Sequence, residues 1–334
     1  MRAEPILVAG AGSWGTALAI LVARNGHPAY LWGHDAAYLA RLAHERRNER
    51  YLPGIEFPQP LIVEEELEVA LRHADDVLLA VPCRALREVA HQVAVYAHAN
   101  VRISWACKGI DLDTLQLPHE IVAEIFGADC PAAAISGPTF ANEVAAGLPT
   151  AIVVASRDQA FAQALVVRLH GGNFRAYLGQ DVIGVEVGGA VKNVLAIAAG
   201  ISDGLGFGAN SRAALITRGL AELTRLGMAL GAKRDTFMGL AGLGDLVLTC
   251  TQDQSRNRRL GLAMARGKSV DEAIAEIGQV VEGVRTAQAV EQLAAARQIE
   301  MPICTQVARL LRGACSAREA VQALLAREPK AEHY

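Results

Sequence analysis

The sequence predicts an α/β parallel-sheet domain followed by an all-α domain, and three observations carry that prediction. Short β-branched or apolar runs alternate with helical patterns through the first half, as in a parallel sheet flanked by helices. A glycine-rich turn joins the first such strand to the first helix. From about Asp181 the strand-like runs stop and only helical patterns follow. Taken in order, "PILVA" at 5–9 reads as a strand, 13–25 as a helix stopped by Gly26, and "AYLW" at 29–32 as the second strand. Further strands are expected at 61–63, 77–81, 101–106, 132–135 and 151–155. Helices are expected at 181–204, 211–230 and 285–297, with no strand among them. The boundary falls between Gly171 and Asp181, giving domains 1–178 and 179–334, and the last residues, 327–334, read as a solvated tail.

Composition narrows the function classes. The chain has 334 residues, 52% hydrophobic and 20% charged, enough for two packed cores and too apolar for disorder. Its 32 basic and 35 acidic side chains leave a net charge of -3, which excludes nucleic acid or anionic lipid as a partner of the whole surface. An anion site must therefore be local. Six cysteines (83, 107, 130, 250, 304 and 315) form no C-x-x-C pair, so neither a metal site nor a disulfide framework is expected, and a reducing cytoplasm is. Arg2 and the apolar run 6–23 have the outline of a signal peptide, but Glu4 and the glycines interrupt it. No other segment is expected to reach the roughly 20 apolar residues of a membrane span.

The interrupting residues have a better explanation. "GAGSWG" at 10–15 is G-x-G-x-x-G between strand and helix: Gly10 for the tight turn, Gly12 for approach to a pyrophosphate, Gly15 for helix–strand packing. That is a Rossmann-type dinucleotide fingerprint; the competing reading is a purely structural turn. The second strand ends "WGHD", with no carboxylate at its tip. His34 suits a 2'-phosphate, with Arg46 and Arg47 as helpers or as a solvated helix face, so NADP(H) is expected ahead of NAD(H).

Three clusters could carry chemistry. Lys108 and Gly109 follow a strand end, where open α/β sheets gather ligands, or Lys108 is a surface lysine. "SGPTFANE" at 136–143 places Gly137 and Thr139 in a turn that either hugs a cofactor or is plain. Lys192 and Asn193 lie in a helix of small and apolar residues, where desolvation draws a lysine pKa toward neutrality and suits it to proton transfer; snorkelling to a helix edge is the alternative. Asp245, in a glycine-flanked apolar stretch with Thr249 four residues on, is a candidate partner for a lysine. Ser255 is a good N-cap, and Arg256, Asn257, Arg258 and Arg259 crowd a helix start that disfavours cations unless an anion shares it or water solvates it. "GQVVEG" at 278–283 is a short loop able to close over the cofactor.

Together, "GAGSWGTALA", "CKGI", "SGPTFA", "GGAVKNVLAIAAGISDGLGFGANSRAALITRGL", "GLGDLVLTC", "SRNRR" and "QVVEG" closely resemble the bacterial NAD(P)-dependent glycerol-3-phosphate dehydrogenase family, from residue 6 to about 325. The resemblance implies reversible reduction of dihydroxyacetone phosphate to sn-glycerol 3-phosphate, for glycerophospholipid synthesis in the cytoplasm, by a Rossmann domain and a helical domain. It implies that Lys192 is the proton donor and acceptor, and that Lys108, Gly137, Thr139, Asp245, Ser255, Arg256 and Asn257 contact substrate with it. Cofactor positions carried over are Ser13, Trp14, His34, Lys108, Ala141, Arg256, Val280 and Glu282, beside Gly10, Gly12 and Gly15 of the fingerprint. Two departures stand out: many members have Arg at the position of His34, and Ser or Thr at that of Cys107. Two rival readings remain, a 3-hydroxyacid or 6-phosphogluconate-type dehydrogenase and a non-catalytic NADPH sensor. A homodimer is expected from how commonly enzymes form symmetric oligomers, and no stable membrane insertion is expected.

Overall fold

A computed structural model of the chain describes residues 4–328; the part of the expected solvated tail at 329–334 lies outside the described residues. The described residues form ten strands: β1 (Ile6–Ala9), β2 (Ala29–Trp32), β3 (Arg47–Asn48), β4 (Leu52–Glu56), β5 (Leu61–Val63), β6 (Asp76–Leu79), β7 (Arg102–Trp105), β8 (Ala132–Ser136), β9 (Thr150–Ser156) and β10 (Phe174–Gly179). The helices among them are α1 (Ser13–Arg24), α2 (Ala36–Glu45), α3 (Leu67–Leu71), α4 (Cys83–Tyr96), α5 (Pro118–Phe126), α6 (Ala141–Ala145) and α7 (Gln159–Leu169). Beyond β10 the described chain is helical: α8 (Val182–Gly204), α9 (Ala209–Ala229), α10 (Arg234–Phe237), a π-helical turn (Leu240–Gly244), α11 (Asp245–Thr251), α12 (Arg256–Ala265), α13 (Val270–Ile277), α14 (Glu282–Ala296), α15 (Pro302–Leu311) and α16 (Ala317–Leu325).

Eight strands make one sheet in the order β10-β9-β8-β7-β6-β1-β2-β5. Strand β1 sits where the order reverses, paired in parallel with β2 (Ile6 opposite Ala29) and with β6 (Ile6 opposite Asp76), and its four residues are buried on both faces. The reversal opens a crevice at the carboxyl ends of β1 and β6.

The sheet departs from the expected all-parallel one. β9 runs antiparallel to β8, because the chain between them holds only the five-residue α6 and returns beside β8 without a full crossover. β10, not foreseen, then pairs in parallel with β9; it alternates buried Phe174 and Ala176 with exposed Arg175 and Tyr177. A small hairpin of β3 and β4 was also unforeseen, since "RN" and "LPGIE", with Asn48, Pro53, Gly54 and Glu56 all depleted in strands, have little β-propensity and are paired by tertiary context.

Two apolar cores form. One packs α1, α4 and α7 around the sheet; the other gathers α8, α14 and α15. The first turn of α8 (Val182, Val185) belongs to the sheet core, whereas Ile110 and Leu117 of the first half enter the helical one, so the halves interlock around α8. Contrary to expectation, α8 is long and apolar enough to cross a membrane, with a mean hydropathy of 1.6, but 94% of that stretch is buried inside the protein. It is the central helix of the core.

Candidate active site

The glycine turn is dictated by crowding. Gly10 takes φ +133°, a conformation that L side chains rarely adopt, and a Cβ there would strike the Ala80 carbonyl; at Gly15 one would strike the Gly10 carbonyl. Above Gly12 the space is open, and no side chain caps α1, so its first-turn N–H groups face that space with the positive end of the helix. Trp14, half-buried in that turn, has an indole N–H buried without a partner among the described residues. These features fit a dinucleotide pyrophosphate. Sequence reasoning missed Asn48, a fully buried amide that donates to the Ala11 carbonyl (3.0 Å) and to Thr16 Oγ1 (2.8 Å) and so pins the turn. A lone Asn between Arg47 and Glu49 gives no signal of that.

At the end of β2, His34 is exposed. The Asp35 carboxylate accepts the Tyr38 N–H at 2.9 Å as the N-cap of α2, so it is engaged away from a ribose. Arg46 does not serve as a phosphate helper: its guanidinium donates to the carbonyls of Leu61 and Pro58, each at 2.9 Å. Arg47 is exposed, 3.5 Å from Glu49.

Across the carboxyl ends of β7 and β8, Lys108, Gly137, Thr139, Lys192 and Asp245 come together. Asp245, fully buried at the start of α11, accepts Lys192 Nζ on Oδ1 and Lys108 Nζ on Oδ2 (2.7 Å for the latter). Lys192 also donates to Thr249 Oγ1 (2.9 Å), whose hydroxyl donates in turn to the Asp245 carbonyl (2.6 Å). Lys108 also donates to the Gly137 carbonyl (3.0 Å), which Thr139 Oγ1 supports at 3.1 Å. An ammonium has three N–H donors, and each lysine makes two of these bonds, so each keeps one N–H without a partner among the described residues. Burial, with the Lys108 charge, draws Lys192 down to about 7 against the pull of Asp245. Lys192 does not snorkel; it is 6% exposed.

Small residues make this approach feasible. A Cβ at Gly188 would collide with the Ala241 carbonyl of the π-helical turn, and one at Gly189 would stand 3.2 Å from both Lys108 Cγ and Ser136 Oγ. The π-turn, a form of helix frequent at functional sites, delivers Asp245 to α8.

The third cluster is split. Ser255 N-caps α12, its hydroxyl accepting the Arg258 N–H (3.2 Å), while the first-turn N–H groups of Arg256 and Asn257 have no intrahelical acceptor. Arg256 is exposed and faces Glu282. The Asn257 side chain is spent inside the protein: it donates to Asn193 Oδ1 and accepts the Gly283 N–H, each at 2.9 Å. Arg258 needs no external anion, being buried against Asp203 and 2.9 Å from Asp253. Burial raises the Glu282 carboxyl, which accepts the Cys83 N–H at the start of α4. Val280, half-buried, lies in the turn before α14, and Ala141, also half-buried, opens α6.

Comparison with known proteins decides among the dehydrogenase readings. The family profile for the N-terminus of NAD-dependent glycerol-3-phosphate dehydrogenase matches residues 5–162, and that for its C-terminus matches 181–322. The chain belongs to that family. It is similar to the glycerol-3-phosphate dehydrogenase [NAD(P)+] of Thioalkalivibrio sulfidiphilus, with 55% identity covering 99% of this chain and 100% of the relative. The enzyme of the same name from Aeromonas hydrophila is 54% identical over 98% of each chain. The crystal structure of glycerol-3-phosphate dehydrogenase from Coxiella burnetii superposes with a TM-score of 0.95 at 48% identity, covering 98% of this chain and 100% of that one. Membership of the family makes the chain an NAD(P)-dependent oxidoreductase and sets aside the hydroxyacid-dehydrogenase and sensor readings.

Proposed function

We propose that the chain reduces dihydroxyacetone phosphate reversibly to sn-glycerol 3-phosphate, with NADP(H) preferred over NAD(H), in the cytoplasm and in the service of glycerophospholipid synthesis. The observation that carries the mechanism is one buried carboxylate, Asp245, holding two lysines that each retain a free N–H. When bound, the dihydronicotinamide supplies hydride to the ketone carbon. Negative charge then develops on the carbonyl oxygen, where fixed ammonium groups in a dry site stabilise it more than water would. Lys192, with a pKa of about 7, gives that oxygen its proton in reduction and takes it back in oxidation. Lys108 holds the oxygen from the sheet side, with Gly137 and Thr139 framing the substrate. Asp245 orients both lysines.

For the phosphate, the N-terminus of α12 offers the Ser255 hydroxyl, the Arg256 guanidinium and the backbone N–H of Asn257. Gly10, Gly12, Ser13, Trp14 and Gly15 would hold the cofactor's pyrophosphate, and Lys108, Ala141, Arg256, Val280 and Glu282 would supply its further contacts. The NADP(H) preference is supported by exposed His34 and by the engagement of Asp35 as a cap. The division into domains 1–178 and 179–334 and a homodimeric assembly complete the reading. Steady-state oxidation of NADPH and NADH with dihydroxyacetone phosphate, followed by the absorbance of the reduced nicotinamide, tests it. A higher kcat/KM with NADPH supports both reaction and preference; equal values remove the role of His34, and no turnover overturns the reaction.

A further inference from the structure

We infer that Glu186 is a positioning residue that sets Lys108 in place by fastening the loop between β7 and α5 to helix α8. Glu186, Gly189 and Asn193 stand at i, i+3 and i+7 on α8 and therefore on one stripe. All three bear on that loop. Asn193 Nδ2 donates to the Lys108 carbonyl (3.1 Å), Gly189 leaves room for the Lys108 stem, and Glu186 holds the far end. There its Oε1 accepts the His119 backbone N–H at 2.8 Å and its Oε2 meets His119 Nδ1 at 2.6 Å. Trp105, the residue that leads into the loop, has a buried indole N–H with no partner at bonding geometry among the described residues, beside the same carboxylate.

Glu186 thereby caps α5 from another helix: Pro118 has no N–H, the Leu117 N–H goes to the helix's own Glu120 at 2.7 Å and the Glu120 N–H to the Leu117 carbonyl at 3.0 Å, so the His119 N–H is the first-turn donor left for α8 to hold. Between its ends the loop closes on itself, with the Asp111 N–H donating to the Gln116 carbonyl (3.0 Å) and the Leu115 N–H to the Asp111 carbonyl (2.9 Å). Such a closed loop moves as a unit, so an anchor at His119 constrains Lys108. A carboxylate only 5% exposed is an expensive anchor, and what it adds is the register of the loop against the helix that also carries Lys192.

This inference rests on the proposed role of Lys108. Displacing a reacting group by about 1 Å can cost about 100-fold in rate. Glu186→Ala is therefore expected to lower kcat about 10- to 100-fold, with the NADPH Kd, read by fluorescence, held within about twofold. Glu186→Gln, which keeps an acceptor for the His119 N–H, restores kcat to within about fivefold of wild type. The deciding measurement is a double-mutant cycle: in a Lys108→Ala background, Glu186→Ala should cost nothing further. An equal loss in both backgrounds, or wild-type kcat in Glu186→Ala, overturns the inference. If Glu186→Ala does not fold, the half-buried His119 decides through the same cycle, His119→Ala lowering kcat only where Lys108 is present. Lys108→Ala alone tests the functional reading separately, because a wild-type rate there refutes the role of Lys108 and not the anchoring contact.

Discussion

Replacing Asp245 by Asn removes one negative charge from between two ammonium groups without changing the shape of the side chain. Breaking a buried ion pair by deleting one partner costs ~3–5 kcal/mol. Asp245 is shared between Lys192 and Lys108, so about half of that falls on Lys192, which at about 1.4 kcal/mol per unit is a fall in its pKa of about 1–2 units. The sign follows from the physical causes: burial and Lys108 already push Lys192 down, and Asp245 is what opposes them. Starting from about 7, Lys192 is half-protonated at neutral pH in the wild type; a fall of about 1–2 units leaves about 1–10% in the ammonium form. Ketone reduction needs the ammonium as proton donor, so kcat at pH 7 should fall about 5- to 50-fold from protonation alone.

The assay is the pH profile of kcat in both directions. In the wild type, reduction should decline as pH rises through about 7 and oxidation should rise through the same value. In Asp245→Asn both limbs should move to lower pH by about 1–2 units, and the deficit in reduction should shrink as the medium is acidified. Limbs that stay in place, or move to higher pH, would refute the assignment of Asp245 as the charge that keeps Lys192 protonated.

Lys192→Met should lower kcat by about two to four powers of ten while sparing cofactor affinity. Its effect on the thermal midpoint should be more favourable at pH 6 than at pH 9, because a depressed lysine destabilises the fold fully below about 7 and progressively less as pH rises toward its unfolded value. A change that is no more favourable at pH 6 than at pH 9 would contradict this. Gly189→Ala gains about 1 kcal/mol of helix propensity, yet its Cβ would press on the Lys108 stem at 3.2 Å; the expected result is a stable protein with reduced kcat, and full activity would show that the stem has slack. Arg256→Ala should raise the KM for dihydroxyacetone phosphate, and an unchanged KM removes Arg256 from the phosphate site. Asp35→Ala should cost about 0.5–2 kcal/mol in chemical denaturation and leave the NADPH-to-NADH ratio of kcat/KM alone; a changed ratio would mean that Asp35 contacts the ribose despite its cap.

How much of this was legible in the sequence depends on the range of the interaction. The glycine turn, the Ser255 cap and the bounds of α8 come from residues within a turn or two of one another, and the structure places them where spacing put them. β10 and the antiparallel course of β9 were not legible, because pairing partners are set by how a short connection packs and not by the strand's own residues. The same divide runs through the site. Glu186, Lys192 and Asn193 are visibly out of place in an apolar helix, and buried polar groups must find partners, so the sequence announces that three partners exist. Only for Lys192 did a distinctive second segment, the glycine-flanked Asp245, point to which one. Glu186 is matched by a histidine in an unremarkable helix start, Asn193 by a backbone carbonyl and Asn257, and Arg258 by Asp203 at the far end of α8. In each of these the partner's own surroundings carry no sign of burial, so the pairing becomes visible only once α8 is seen to run through the middle of the molecule, and the loop bearing Lys108 is seen to lie along it.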